Sequence, residues 1–208
     1  MYDSVIFDVD GTLIDTEQAV LGSLQLMLKT DYGRIMKPDE LTFVLGIPGA
    51  VSLARLGLTD IDQANDRWNG FMKEFADSMN VFPGISALLA KLKRNGIAQG
   101  IVTSKTSEEL QADFAPFGLM PDLAHIVCAD DTKRHKPHPE PLLYYLERSD
   151  SSPRASIYIG DTVYDYECAR DAGVDFGLAL WGCRNPDAIP AKYKFAHPDE
   201  IADMVLRG

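Results

Sequence analysis

The stretch Ser4-Val5-Ile6-Phe7-Asp8-Val9-Asp10-Gly11-Thr12-Leu13-Ile14-Asp15-Thr16 decides how the rest of the chain is read. Ser4 to Phe7 is a short, mostly apolar run ahead of a glycine, the pattern of a buried strand. Two aspartates follow it, two residues apart. In extended chain, residues i and i+2 point the same way, so Asp8 and Asp10 are expected to converge on one spot. Two carboxylates ~4 Å apart, at an effective dielectric near 20, repel by about 4 kcal/mol. A fold that keeps such a pair holds a cation beside it or uses it in chemistry.

Beyond Thr16 the texture changes twice. Residues 17–79 carry no convincing strand. Val20, Leu21, Leu24, Met27 and Leu28 recur at helical spacing, and Pro38-Asp39-Glu40 has the proline and acids of a first helical turn. Gly46-Ile47-Pro48-Gly49 is a break, and a short helix from Ala50 ends at Gly57. Trp68, Phe71, Met72 and Phe75 then form the apolar face of a longer helix, capped at Thr59-Asp60 or Asp62.

From Val81 onward helices and strands alternate. Strands are expected over 97–102, 125–128, 156–159 and 174–180, and helices over 83–94, 108–117, 139–148, 163–172 and 198–206. Such alternation means βαβ units and a parallel sheet. The expected fold class is α/β: a doubly wound, Rossmann-like parallel sheet. Residues 1–16 and 80–208 form its core domain, and residues 17–79 are a helical domain inserted after the first strand.

Composition narrows the function. The chain has 208 residues, ordinary hydrophobic (46%) and charged (25%) fractions, and a formal net charge of -11. Nucleic acid and anionic membranes demand a basic patch, so neither is expected as a partner. A small anionic substrate stays open, because a local metal ion and a lysine override the global sign. Cys128, Cys168 and Cys183 make no CxxC pair or metal-ligand pattern and are expected as free thiols. The first strand begins within a few residues of Met1 and no apolar run approaches a membrane span, so the expected location is cytoplasmic. A monomer and a homodimer are both compatible with this surface.

Parallel α/β sheets bind ligands at the carboxyl ends of their strands. Strand one ends at Asp8 and Asp10, strand 97–102 at Thr103-Ser104-Lys105, and strand 156–159 at Gly160-Asp161-Thr162. Lys136-Pro137-His138-Pro139 precedes a helix on the same edge. Asp8, Asp10 and Asp161 bring the oxygen ligands that Mg²⁺ selects. Asp165 falls in the first turn of a helix beginning near Thr162, where it can hold a metal-bound water. Thr103 and the amides after it suit phosphate oxygens, and Lys136 would neutralise charge on a phosphoryl group. A carboxylate next to Mg²⁺ and Lys can attack phosphorus and form an aspartyl-phosphate.

Taken in order, Asp8-Val9-Asp10-Gly11-Thr12-Leu13-Ile14-Asp15-Thr16, Thr103-Ser104, Lys136-Pro137 and Gly160-Asp161-Thr162-Val163-Tyr164-Asp165 resemble the four motifs of the haloacid dehalogenase superfamily. The resemblance covers nearly the whole chain. The inserted helices resemble the mobile cap of its phosphoglycolate phosphatase-like subfamily. The resemblance implies that Asp8 is nucleophile and metal ligand. Asp10 would protonate the leaving group, then deprotonate water, with its backbone carbonyl on Mg²⁺. Thr103, with Gly11 and Ser104, would bind the phosphoryl group, and Lys136 would stabilise Asp8 and that group. Asp161 would bind Mg²⁺, and Asp165 would support the metal or its water. The implied function is Mg²⁺-dependent hydrolysis of a small phosphorylated metabolite through an aspartyl-phosphate.

Departures from the superfamily's other patterns sort the alternatives. Members that displace halide carry Tyr two residues after the nucleophile, and Asp10 stands there instead. Members resembling β-phosphoglucomutase carry His five residues after the Asp of the Asp-Thr pair, a place taken here by Val20. No lysine of the insertion stands out as a Schiff-base amine, since Lys29, Lys37 and Lys73 have the look of surface charges. A sugar phosphomutase, an inorganic pyrophosphatase and a non-catalytic metabolite-binding member remain as alternatives. Arg55 and the Gly46–Gly49 turn are the candidates for touching the leaving group.

Overall fold

A computed structural model describes residues 2–207. The strands of the main sheet are β1 (Ser4–Phe7), β4 (Ala98–Val102), β5 (His125–Val127), β6 (Ser156–Gly160), β7 (Asp175–Ala179) and β8 (Tyr193–Phe195). Their order is β5-β4-β1-β6-β7-β8 and every pairing is parallel. The chain winds one way from β1 through β4 to β5, then crosses to β6 and winds the other way. The reversal falls at β1, and such a reversal is where open α/β sheets leave a ligand crevice.

Residues alternate between the two faces of the sheet with period two, as strand geometry requires. Val5, Phe7, Ile101, Ile157 and Ile159 face α5 (Ile85–Arg94), α6 (Ser107–Asp113) and α9 (Pro198–Arg207). Ile6, Val102, Tyr158, Phe176 and Leu178 face α7 (Glu140–Ser149) and α8 (Val163–Ala172). Each large apolar side chain withdrawn from water contributes about 1.5–3 kcal/mol. The helix spacing matches: α5 buries Ile85, Leu88, Leu89 and Leu92, one stripe of its surface.

Residues 17–79 contain α1 (Glu17–Tyr32), α2 (Pro38–Leu41), α3 (Gly49–Arg55) and α4 (Ile61–Met72), with short 3₁₀ turns after α2 and α4. They gather a third apolar cluster around Leu24, Met27, Leu28, Leu53 and Trp68. Asp60 occupies the N-cap position of α4, but its side chain makes no capping hydrogen bond. Where the chain leaves for and returns from this segment, β2 (Ile14–Asp15) and β3 (Asn80–Val81) pair antiparallel, Ile14 with Val81 and Asp15 with Asn80. The sequence reading has neither of these strands, nor β8: runs of two or three residues show no period. The helix expected over 108–117 stops at Asp113 and continues as a 3₁₀ turn over Ala115–Phe117, with Pro116 inside it. No helix of the described residues is long and apolar enough to cross a membrane.

Candidate active site

Register sets the site. Phe7 pairs with both Ile101 and Ile159, so β4 and β6 each run one residue past the end of β1. Asp8 therefore leaves β1 within one residue step of where Thr103 leaves β4 and Asp161 leaves β6. The turn after Asp10 needs Gly11 at φ 77°, and a Cβ there would run into the Asp161 carboxylate. Glycine therefore serves twice, for the left-handed backbone and for the approach of the third carboxylate.

Asp8 is 2% exposed, and its Oδ1 lies 2.9 Å from Lys136 Nζ. The lysine, 3% exposed, arrives from the loop before α7, where the Lys136–Pro137 peptide is cis. Its Nζ also donates to Asp165 Oδ1 (2.6 Å) and to the Tyr158 hydroxyl (3.0 Å). Tyr158 donates in turn to the Val102 carbonyl at 2.8 Å. Asp165 Oδ2 accepts from the Thr162 amide (3.0 Å) and hydroxyl (2.5 Å), and Thr162 caps α8 reciprocally. Both oxygens of Asp165 are thus engaged with protein, and what they orient is Lys136. Asp161 Oδ1 accepts from Thr12 at 3.1 Å.

The electrostatics are unbalanced. Asp8, Asp161 and Asp165 bring carboxylate oxygens within 4.8 Å of one another. Lys136 is the one cation in contact with them among the described residues. Burial, followed by the charges of Asp165 and Asp10, outweighs Lys136 and pushes the Asp8 carboxyl up to about 7. Burial, then Asp165 and Asp8, holds Asp161 well above the ordinary carboxylate range. The same two aspartates overcome desolvation and keep the Lys136 ammonium charged far above neutral pH. Three clustered acids with one base leave room for a hard divalent cation, whose preferred ligands are carboxylate oxygens. The residues present fit Mg²⁺.

Asp10 faces a second cation. Its Oδ1 accepts from the Thr16 hydroxyl (2.7 Å) and lies 3.2 Å from Lys105 Nζ. Lys105 is itself buried and donates to Asp113 at 2.7 Å. The sequence showed Lys105 beside Thr103 and Ser104 at a strand end, but nothing in the string marks it as the partner of Asp10. Tyr158 was hidden for another reason, as one apolar-looking residue in a buried strand. Thr103 Oγ1 accepts from the Lys105 amide at 3.2 Å, and helix α6 is capped by Thr106, not by Thr103 or Ser104.

Ser104 meets the inserted helices: its hydroxyl donates to the Gly46 carbonyl at 3.0 Å. Asn65 and Asn69 of α4 donate to Glu109 of α6, at 3.3 and 3.1 Å. Between the two parts lies a cavity of about 900 Å³ lined by Asp8, Asp10, Gly11, Ser104 and Asp161 from below. The Gly46–Gly49 turn lines its roof through Gly46, Ile47 and Gly49. Arg55 does not line it, and its guanidinium lies 3.5 Å from the Tyr164 hydroxyl instead. Val20 lines the cavity, as do Trp68 and Phe75, while Phe71 packs against the inserted segment's own cluster.

The family of haloacid dehalogenase-like hydrolases matches residues 5–179 of this chain. The chain belongs to that family. This hydrolase is 30% identical to N-acetylmuramic acid 6-phosphate phosphatase of Pseudomonas aeruginosa, over 98% of this chain and 95% of that one. It is 29% identical to phosphoglycolate phosphatase of Xylella fastidiosa, covering 92% and 86% of the two chains. A crystal structure of a Lactobacillus plantarum protein, 31% identical, superposes with a TM-score of 0.89 over 98% of this hydrolase and 99% of that chain.

Proposed function

We propose that this hydrolase is a Mg²⁺-dependent phosphatase that cleaves a small phosphomonoester through an aspartyl-phosphate on Asp8. The observation that carries the reading is that Asp8, paired behind the cavity with Lys136, lines one cavity with a second, separately held aspartate, Asp10. The phosphatase names of two relatives agree with it.

Asp8 and Asp161 would hold the metal, with the Asp10 backbone carbonyl, and Asp165 would act behind them by orienting Lys136. Bound Mg²⁺ would supply Lewis-acid charge to the phosphoryl oxygens and orient them. Lys136 holds Asp8 Oδ1 and leaves the other oxygen to attack phosphorus. As that bond forms, the bond to the leaving oxygen breaks, and protonated Asp10 gives its proton to the alkoxide. Asp10, now a carboxylate, takes a proton from water. The water oxygen bonds to phosphorus, and the phosphoryl–Asp8 bond breaks to release phosphate. Thr103, Ser104 and the amides that follow would hold the phosphoryl oxygens while Lys136 offsets their charge, fixed dipoles acting where charge redistributes. The contacts of Ser104 with Gly46 and of Asn65 and Asn69 with Glu109 hold the roof over the site.

Phosphate release from p-nitrophenyl phosphate and a panel of phosphometabolites tests the reading. Release that requires Mg²⁺ and stops with EDTA is expected, and no release from any ester with Mg²⁺ present overturns it. Val20 at the cavity wall offers no titratable group, which favours hydrolysis over a mutase.

Asp10→Asn separates the two aspartates. It is expected to slow phosphorylation of Asp8 by alkyl phosphates about 10²–10⁴-fold, the usual worth of a general acid. With p-nitrophenyl phosphate, whose leaving group needs no proton, the burst of p-nitrophenol should persist while steady turnover falls. Rapid-quench measurement of the burst checks this.

Metal and pH act together on stability. In the metal-free protein, folded Asp8 and Asp161 hold protons more tightly than the unfolded chain does. The folded state therefore binds more protons from about pH 4 to 7, and its stability falls as pH rises through that window. Mg²⁺ binds the ionised carboxylates, so its stabilisation grows with pH. Thermal melts with and without Mg²⁺ should show a larger shift at pH 8 than at pH 5, and Asp161→Asn should abolish the shift.

A further inference from the structure

We infer that the leaving group this site accepts is uncharged, with hydroxyls and an apolar face, as in a sugar monophosphate, and that esters carrying a carboxylate or a second phosphate are disfavoured. The inference rests on the phosphatase reading and concerns the part of the cavity beyond the phosphoryl group.

The cavity, about 900 Å³, is large enough for a whole sugar or nucleoside and far exceeds what a phosphoryl group fills. Its charges run one way. Seven carboxylates line it among the described residues, and the four outside the phosphoryl machinery, Asp15, Glu17, Glu109 and Asp113, stand against two basic side chains, Lys105 and Arg184. Neither base is free. Lys105 is buried between Asp10 and Asp113, at 3.2 and 2.7 Å. Arg184 pairs with Glu17 and lies 3.6 Å from Asp39. Lys136 is committed to Asp8 and Asp165. Residues at the N-terminus of α1 also line the cavity, but the Asp15 carboxylate already accepts there from the Glu17 amide at 3.3 Å.

An anionic leaving group would therefore enter a wall that is negative and has no cation to spare among the described residues, and like charges placed together disfavour binding. What the wall does supply is ring and thioether surface from Trp68, Met72, Phe75, Phe82 and Trp181. The indole N–H groups are already used, Trp68 on Ser23 at 2.8 Å and Trp181 on the Thr12 carbonyl at 3.0 Å. Their contribution to a ligand is apolar surface, which suits the C–H face of a sugar ring. The side-chain amides of Gln18 and Asn185 can meet its hydroxyls.

Matched pairs of esters test this: glycerol 3-phosphate against 3-phosphoglycerate, and glucose 6-phosphate against 6-phosphogluconate, with phosphoglycolate and pyrophosphate beside them. The neutral member of each pair is expected to have kcat/KM higher by about tenfold or more. Asn185→Arg, which adds a cation at an exposed wall position, should narrow that ratio by raising the carboxylate member. Preference for the carboxylate members or for pyrophosphate overturns the inference, as does a ratio that Asn185→Arg leaves unchanged. If no ester of the panel, p-nitrophenyl phosphate included, releases phosphate with Mg²⁺ present, the phosphatase reading fails instead, so the two failures are told apart.

Discussion

Asp8→Asn is expected to lower turnover of any accepted phosphoester by about 10⁴-fold or more, the scale on which an enzyme loses its nucleophile. An amide cannot form the acyl-phosphate bond. The fold should not suffer. Asn is nearly the same shape, and the Asp8 charge is one the buried site already resists, with its carboxyl pushed up to about 7 by burial and by Asp165 and Asp10. Lys136 keeps its second partner, Asp165, at 2.6 Å. Melting of the metal-free variant is therefore expected at or above the wild-type temperature, while single-turnover experiments show no trapped phosphoenzyme. Turnover within tenfold of wild type would refute covalent catalysis by Asp8.

Lys136→Met should be costly to both stability and activity. It removes the one cation among the described residues that contacts Asp8 and Asp165, both buried, and leaves the Tyr158 hydroxyl with one partner fewer. Breaking a buried pair from one side costs about 3–5 kcal/mol. For a chain of this size that is about 6–20 °C in melting temperature. Adding Asp165→Asn to Lys136→Met should recover much of the stability, because it removes one of the stranded charges, but none of the activity. Recovery of activity by the second change would mean that Lys136 serves only the fold. Thermal melts and phosphate release on the three proteins decide the matter.

The two variants mark where the string of residues was sufficient and where it was not. Asp8, Asp10, Asp161 and Lys136 were visible because each sits at a strand end or just before a helix, and strand ends in a parallel sheet share one edge. Asp165 was visible too, three residues after the helix cap Thr162, but its role is decided in three dimensions. Both its oxygens are taken, one by Lys136 and the other by Thr162, so it reaches Asp8 through the lysine. Lys105 was in plain view beside Thr103 and Ser104. Its partners Asp10 and Asp113 come from different elements, and no local rule couples them. Arg55 shows the converse: a conspicuous charge in the inserted segment that folding turns toward Tyr164 and away from the cavity.

By itself the sequence determined the α/β class, the winding from alternating elements, the helical stretch after the first strand, and the set of acids and bases at one sheet edge. These follow from periodicity and strand-end chemistry, which are local and survive in one dimension. Tertiary structure alone decided which charge answers which. It placed Lys136 between Asp8 and Asp165, tied Lys105 to Asp10, and closed a largely acidic, aromatic-walled cavity over both. Those pairings depend on separations of a few ångströms between residues far apart in the chain, and Coulomb energy in a buried site is set by such distances.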